Sequence, residues 1–392
     1  MVRWLSPVER VERFARIRAL NEVALVNSGH DVFVKRLEAR SVDVYHVPLW
    51  EGDFIGQSRQ LTMLEVFASA GYAEGERRLL WDLAGHGKAY VDCGKTLVLG
   101  CDNVGSHPAG QVFVRLARRN CRRKACPTCF EGWASSEAER ALVRLSAFVV
   151  GSDLVSEVIS DVKKEFALGS ARVFHGGLVS RLEGLVHQGR MKPIHVVLSP
   201  PVDVSCDTVA EYRVLRSRAY RIAKESGLSG GSVIVHPYRL KCVECGSAIP
   251  DYLKECPACG CSRFAWFWSV HFHVVGFGWI VGVVEGFARH GWVVKNLGVR
   301  NSVFWTFQYL LSHAGVSNVH TVTWFGKLAY NRMGFVPRVV GFREVCPYCM
   351  KFLFPMVWLG GEDRPPPIFV FDLDPTLNDF WVSVSDWKCH HG

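Results

Sequence analysis

Two histidines, His271 and His273, flank Phe272 inside the apolar and aromatic run FAWFWSVHFHVVGFGWI, residues 264 to 280. On a strand, residues two apart share a face roughly 6 to 7 Å from one another, so both imidazoles can converge on one divalent ion while Phe272 packs behind them. Two imidazoles need a third ligand and an open position before the ion can catalyse. His236, in SVIVHPYR, is the preferred third ligand, because only a cysteine-rich insertion separates its strand from the opening one. His195, in KPIHVVLSPP, is the alternative, since no acidic residue falls close by in the same strands. Downstream, SVFWTFQYLLSHAG reads as a helix whose buried stripe is Val303, Phe307, Leu310, Leu311 and Ala314. Trp305, Tyr309 and His313 then follow one another along a second face. A phenol of pKa about 10 attacks at neutral pH only with a Lewis acid on its target, a nearby base, or both. His313 is the residue that can accept or orient its proton, and Tyr330, in KLAYNRMG, is the alternative nucleophile.

The cysteines carry a second kind of chemistry. Cys242-x2-Cys245 and Cys256-x2-Cys259, with ten residues between the pairs, have the spacing of a zinc ribbon, in which two tight turns bring four thiolates to one ion. Cys261 could stand in for Cys259. NCRRKACPTC supplies Cys121, Cys126 and Cys129, with Cys93 or Cys101 as the fourth thiolate. VCPYCMKF supplies Cys346 and Cys349, whose partners are sought at Cys389, His390 and His391 in the tail. Two or three structural Zn²⁺ ions are therefore expected. Arg115, Arg118, Arg119, Arg122, Arg123 and Lys124 crowd around Cys121. So many cations on one metal-held unit repel each other unless a polyanion faces them, which makes phosphate contact by Arg118, Arg119, Arg122, Arg123 and Lys124 the preferred reading over a merely solvated face. The segment with Arg213, Arg216, Arg218, Arg221 and Lys224 could contribute likewise.

These residues need elements to hold them. KPIHVVLSPP is a short strand stopped by two prolines; CDTVAEYRVLRSRAYRIAKESG is a helix with Asp207 near its N-cap and Gly227 past its end; GSVIVHPYRL is a strand again. After the cysteine-rich insertion come the His271 strand, a strand at GWVVKNL, a helix from Ser302 to about Ala314, and a last strand at NVHTVTWFG. That order describes a ferredoxin-like α+β sandwich, an antiparallel sheet covered by helices. The expected organisation is a helical extension over 1–85 with no readable role, a cysteine-rich basic zinc module over 86–148, the α+β domain over 149–340 with the ribbon inserted at 240–262, and a Cys-x2-Cys tail over 341–392. AYVDCGKT, residues 89 to 96, imitates a phosphate loop, but TLVLGC after it reads as a strand where that loop needs a helix. No nucleotide cofactor and no helicase activity are expected.

Composition sets the frame. The chain has 392 residues, 49% of them hydrophobic, and a net charge of +9, which excludes a disordered protein and biases it toward polyanions. Its apolar runs are too short or too glycine-interrupted to span a bilayer, and its N-terminus lacks the apolar core of a secretory signal, so a cytoplasmic protein without a membrane partner is expected. Fourteen cysteines, mostly in close pairs, then point to zinc rather than to disulfides.

With those residues in view, His271-Phe272-His273 resembles the His-hydrophobic-His signature of the HUH endonucleases, and Tyr309-Leu-Leu-Ser-His313 resembles their nucleophile motif, in which a lysine usually stands where this chain has His313. HVVLSPP, at 195 to 201, occupies the place of the family's first motif strand. Together with the upstream cysteines, and over about residues 93 to 326, the pattern is similar to rolling-circle replication initiators of archaeal plasmids and viruses. The resemblance implies an HUH nuclease domain in which His271, His273 and a third ligand hold Mg²⁺ or Mn²⁺. It also implies that Tyr309 nicks a single-stranded origin, keeps a 5′-phosphotyrosine link, and leaves a 3′ hydroxyl for the host polymerase and helicase machinery. An HUH transposase or relaxase uses the same chemistry. From another class, a noncatalytic zinc-ribbon DNA-binding regulator would share the metal sites.

Overall fold

The computed structural model describes residues 70–91, 93–107, 110–165, 171–249, 255–280, 287–289, 291–337, 345–346, 348–359 and 381–383. In chain order its elements are β1 (Asp82–Leu83), β2 (Thr96–Cys101), β3 (Phe113–Arg118), α1 (Phe130–Val150), α2 (Ser152–Glu165), α3 (Ala171–Gln188), β4 (Ile194–Ser199), α4 (Val209–Glu225), β5 (Leu228–Cys242), β6 (Phe264–Gly278), β7 (Phe287–Arg289), β8 (Trp292–Val299), α5 (Val303–Ser312), β9 (Gly315–Val316), β10 (Val322–Gly326), β11 (Phe354–Trp358) and β12 (Trp381–Ser383).

Six strands form an antiparallel sheet in the order β10-β5-β6-β4-β8-β7. β6 lies between β4 and β5 and runs antiparallel to both, so the β4-α4-β5 connection spans it as a split unit. The expected α+β class, an antiparallel sheet with flanking helices, is what the chain adopts. The sheet is the middle of three layers, because β5 and β6 carry apolar residues on both faces. Val233, Val235, Phe272 and Val274 pack against Tyr212, Leu215 and Ile222 of α4, whereas Ile234, Val275 and Phe277 pack against α1, α3 and α5. A strand with no polar face must be covered twice. Phe272 is fully buried on the α4 face, which is the packing role its position between the two histidines requires.

The helix ends follow local chemistry. α4 begins one residue later than Asp207 suggested: Thr208 is the N-cap, and Glu211 returns the bond in a capping box. α5 starts after the N-cap Ser302, whose hydroxyl accepts from the Trp305 amide, and it ends at Ser312, short of the expected Ala314.

A second antiparallel sheet, β12-β11-β2-β3, joins the cysteine-rich hairpin to strands from the C-terminal part of the chain. The segment after Lys95 is β2, so AYVDCGKT is a turn into a strand and has no helix to receive phosphates. α1, which sequence reading groups with the cysteine-rich module, packs instead within the core that α3 and α5 build on the large sheet. Of the expected N-terminal helical extension, residues 1–69 lie outside the described residues. Residues 82 and 83 form β1 and pair with β9, directly after α5.

Candidate metal and nucleophile site

Register brings the histidines together. His236 on β5 pairs directly with His271 on β6, and His273 is flanked by Val197 of β4 and Ile234 of β5. All three imidazoles lie on the α5 face of the sheet, each offers one nitrogen, and these nitrogens fall within 4.8 Å of one another. The preferred third ligand is therefore in the cluster. The alternative, His195, takes a supporting position: its Nε2 is 2.7 Å from Nδ1 of His273.

Hydrogen bonds fix which nitrogen each ring presents. Nδ1 of His271 donates to the Ser269 carbonyl at 2.8 Å, and Nδ1 of His273 faces His195, so both rings are left with Nε2 toward the cluster. His236 is fully buried, and neither of its nitrogens has a hydrogen-bond partner; the Leu310 backbone is near enough to favour its protonated form slightly, without hydrogen-bond geometry. A buried imidazole with two unpaired nitrogens is costly unless something else satisfies it, and a shared ion would. Burial is the main cause that holds His236, His271 and His273 well below the usual imidazole range, with neighbouring imidazoles, and Arg239 beside His271, adding to it. All three are thus neutral, the form that ligates metal. With no carboxylate in the set, the donors suit Zn²⁺ and other first-row transition ions better than Mg²⁺.

Tyr309 and His313 meet this cluster from α5. The helix packs on the same face, and Tyr309 is half-buried where the cores on the two faces approach each other. His313 differs from expectation in a useful way. It is the residue after the helix, with φ of −132° and ψ of 22°, and it turns inward instead of continuing the Trp305-Tyr309 face. Its ring centroid lies 4.4 Å from that of His236 and 4.8 Å from that of Tyr309, so one imidazole stands between the tyrosine and the cluster. Gly315 allows this turn, since a Cβ there would sit 2.6 Å from Pro237 Cδ on β5. Tyr330, the alternative nucleophile, packs elsewhere: the guanidinium of Arg144 lies 4.4 Å over its ring.

Two positioning residues carry no sequence signal of their own. Glu183 of α3 accepts from the Val303 and Phe304 amides and from the Ser302 hydroxyl, so a carboxylate clamps the positive end of the helix that bears Tyr309. Arg300, just past β8, reaches both His195 and Tyr309 electrostatically. Burial, followed by the charge of Arg300, pushes His195 down to about 3; burial also lowers Arg300 itself, with the Tyr309 side chain opposing that shift. Nε of Arg300 is buried without a hydrogen-bond partner, while its Nη2 donates to the Leu297 carbonyl. A capping carboxylate from a distant helix, or an arginine at a strand end, becomes visible only when the elements are assembled.

Three further clusters bring together four ligand atoms each that could hold a zinc ion. Cys242, Cys245, Cys256 and Cys259 close the ribbon at the tip of the β5–β6 hairpin; Gly246 and Gly260 supply the positive φ after each pair. Cys261 is not needed, as its Sγ accepts from the Arg263 amide. Cys93 joins Cys121, Cys126 and Cys129. The third cluster corrects two expectations: Cys346 and Cys349 are completed by Cys101 and His107, so Cys101 is no alternative to Cys93 and four ligands are present without Cys389, His390 or His391, which lie outside the described residues. His107 was missed because it sits in no Cys-x2-Cys pattern. Its Nδ1 donates to the Gln111 carbonyl at 2.6 Å, which leaves Nε2 for the ion, 3.3 Å from Cys346 Sγ. The β2–β3 hairpin therefore carries a candidate metal-binding cluster at each end.

The candidate DNA-binding cations separate. Arg119, Arg122 and Arg123 are exposed, and the side chain of Arg118 lies outside the described residues. Lys124 is not available for phosphate, because its ammonium is held by the Val319 carbonyl at 2.9 Å and by the Thr321 hydroxyl. The exposed cations of α4 lie across the sheet from the histidines.

Among the described residues no helix is long and apolar enough to cross a membrane. Comparison of the chain with models of protein families, with curated proteins and with solved structures finds no match.

Proposed function

We propose that this chain is a metal-dependent HUH-type endonuclease that nicks and rejoins single-stranded DNA, acting as a rolling-circle replication initiator. The observation that carries the reading is the convergence of His236, His271 and His273 on one face of the sheet, with His313 in ring contact both with His236 and with Tyr309.

In the proposed reaction the Tyr309 oxygen forms a bond to the phosphorus of a phosphodiester, and the bond from that phosphorus to the 3′ oxygen breaks. The phenolic proton passes to His313, and the leaving 3′ oxygen takes up a proton to become a free hydroxyl. The DNA stays attached as a 5′-phosphotyrosine, and attack by a 3′ hydroxyl reverses the step and rejoins the strand. His236, His271 and His273 would hold a divalent ion, which when bound would supply Lewis acidity to the phosphate. An all-imidazole set favours Mn²⁺ over Mg²⁺ in that role. His313 stands in for the lysine usual in the family, and a neutral imidazole can take the proton directly where an ammonium cannot.

The test is incubation of the full chain with a random-sequence pool of single-stranded DNA and Mn²⁺. A denaturant-resistant adduct is expected, abolished in the His271→Ala/His273→Ala variant while DNA retention persists. Undiminished cleavage by that variant would remove the metal reading, and DNA retention with no adduct from the unaltered chain would favour a noncatalytic DNA-binding protein.

A further inference from the structure

A groove of about 1420 Å³ lies between the Cys93 metal cluster, α1 and the segments on either side of β10. Its cations are Arg122, Arg123, Arg140 and the buried Arg144, together with the engaged Lys124. The two carboxylates on its wall are already neutralised, Asp82 by Arg77 and Glu137 by Arg140. Arg122, Arg123 and Arg144 have no carboxylate partner among the described residues, so the net field of the groove is positive.

Two large rings in the groove face solvent, Tyr330 at 68% and Phe335 at 71% exposure. Arg144 supports this wall from below: its guanidinium lies over Tyr330 and over Trp324, Nε donates to the Leu328 carbonyl, and Nη2 is buried with no partner. The guanidinium charge held beneath the exposed Tyr330 ring adds to the positive field of the groove and polarises the stacking face above it.

We infer that this groove is the path of a single-stranded nucleic acid, with phosphates along the arginines and unpaired bases stacked on Tyr330 and Phe335. Cations with interleaved aromatic faces are the pairing that single strands need, because every base has a face to stack while a duplex hides it. Val316, three residues after His313 in the chain, lines one wall of the groove. The identity of the strand as DNA rests on the proposed nicking reaction; the binding mode does not.

The experiment measures binding of a short, labelled, mixed-sequence single strand and its duplex by fluorescence anisotropy, using the full chain with Tyr309→Phe and no added divalent ion. Adding Tyr330→Ser and Phe335→Ser, both at exposed positions, should weaken single-strand binding by about tenfold or more and change duplex binding little. Arg122→Gln and Arg123→Gln should each lower the slope of log K against log salt by about 0.7. Unchanged single-strand affinity in the double aromatic variant, an equal loss for duplex, or displacement of the strand by polyglutamate as readily as by unlabelled DNA would each overturn the inference. The nicking reading fails separately, by the absence of an adduct in the unaltered chain, even where the groove variants lose binding as expected.

Discussion

Nε2 of His195 on β4 stands 2.7 Å from Nδ1 of His273 on β6, and both rings are buried. With His273 ligating through Nε2, its Nδ1–H donates to His195, which fixes the ring's tautomer and tilt. Replacing His195 with Gln should therefore weaken metal binding by about 10- to 100-fold without removing a ligand. Titration with Co²⁺ or Mn²⁺ of protein whose cysteine sites hold zinc checks this, and an unchanged Kd would mean the contact is packing alone.

The same burial makes stability depend on pH. His195 is pushed down to about 3 from the model-compound value of 6.5, so between those values the unfolded chain binds a proton that the folded chain refuses. The unfolded state then binds more protons, and stability rises with pH. The contribution is present above about pH 6.5 and is lost as the pH falls toward 3, by up to about 1.4 kcal/mol per pH unit. Urea midpoints at about pH 7.5 and about pH 5.5 should fall further for the unaltered chain than for His195→Gln, with the zinc sites common to both. Equal drops would show that His195 titrates normally.

Three cysteine-rich clusters predict three tightly held zinc ions, one of them dependent on His107. His107→Ala should lower the zinc content by about one ion and loosen the sheet formed by β2, β3, β11 and β12, because Cys101 and Cys346 lie in the small core between that hairpin and the C-terminal strands. Inductively coupled plasma mass spectrometry of the purified chain gives the count. A full complement in His107→Ala would remove this residue from the ligand set.

Glu183 fixes α5 from a distant helix through three hydrogen bonds at the helix N-terminus. Glu183→Ala should cost about 1 to 3 kcal/mol, the penalty of partly buried donors left unpaired. It should also slow adduct formation, since the Tyr309 helix loses its anchor. Chemical denaturation and single-turnover labelling report the two effects, and a stable, fully active variant would contradict the positioning role.

Much of the site was legible in residue pattern because strand and helix periods are fixed. His271 and His273 share a face for the reason any i, i+2 pair does, and the ribbon cysteines declare themselves by spacing. What was not legible depended on register and on long-range closure. His236 could be preferred because its strand precedes the His271 strand across one insertion, but that His195 falls beside His273 instead of in the ligand set follows from register, which no local period encodes. His313 left the Tyr309 face because α5 stops at Ser312 and the chain must turn past Pro237. Cys101 belongs with Cys346 and not with Cys126 because β11 pairs with β2, which brings together residues far apart in the chain.

The central claim is that Tyr309 becomes covalently joined to DNA beside a metal held by His236, His271 and His273. Peptide mass spectrometry after reaction with single-stranded DNA and Mn²⁺, followed by nuclease and protease digestion, reads this directly. A nucleotide phosphate mass is expected on the peptide containing Tyr309, absent when His271 and His273 are both Ala and absent in Tyr309→Phe. A nucleotide adduct on Tyr330 or any other residue, with Tyr309 unmodified, would contradict it.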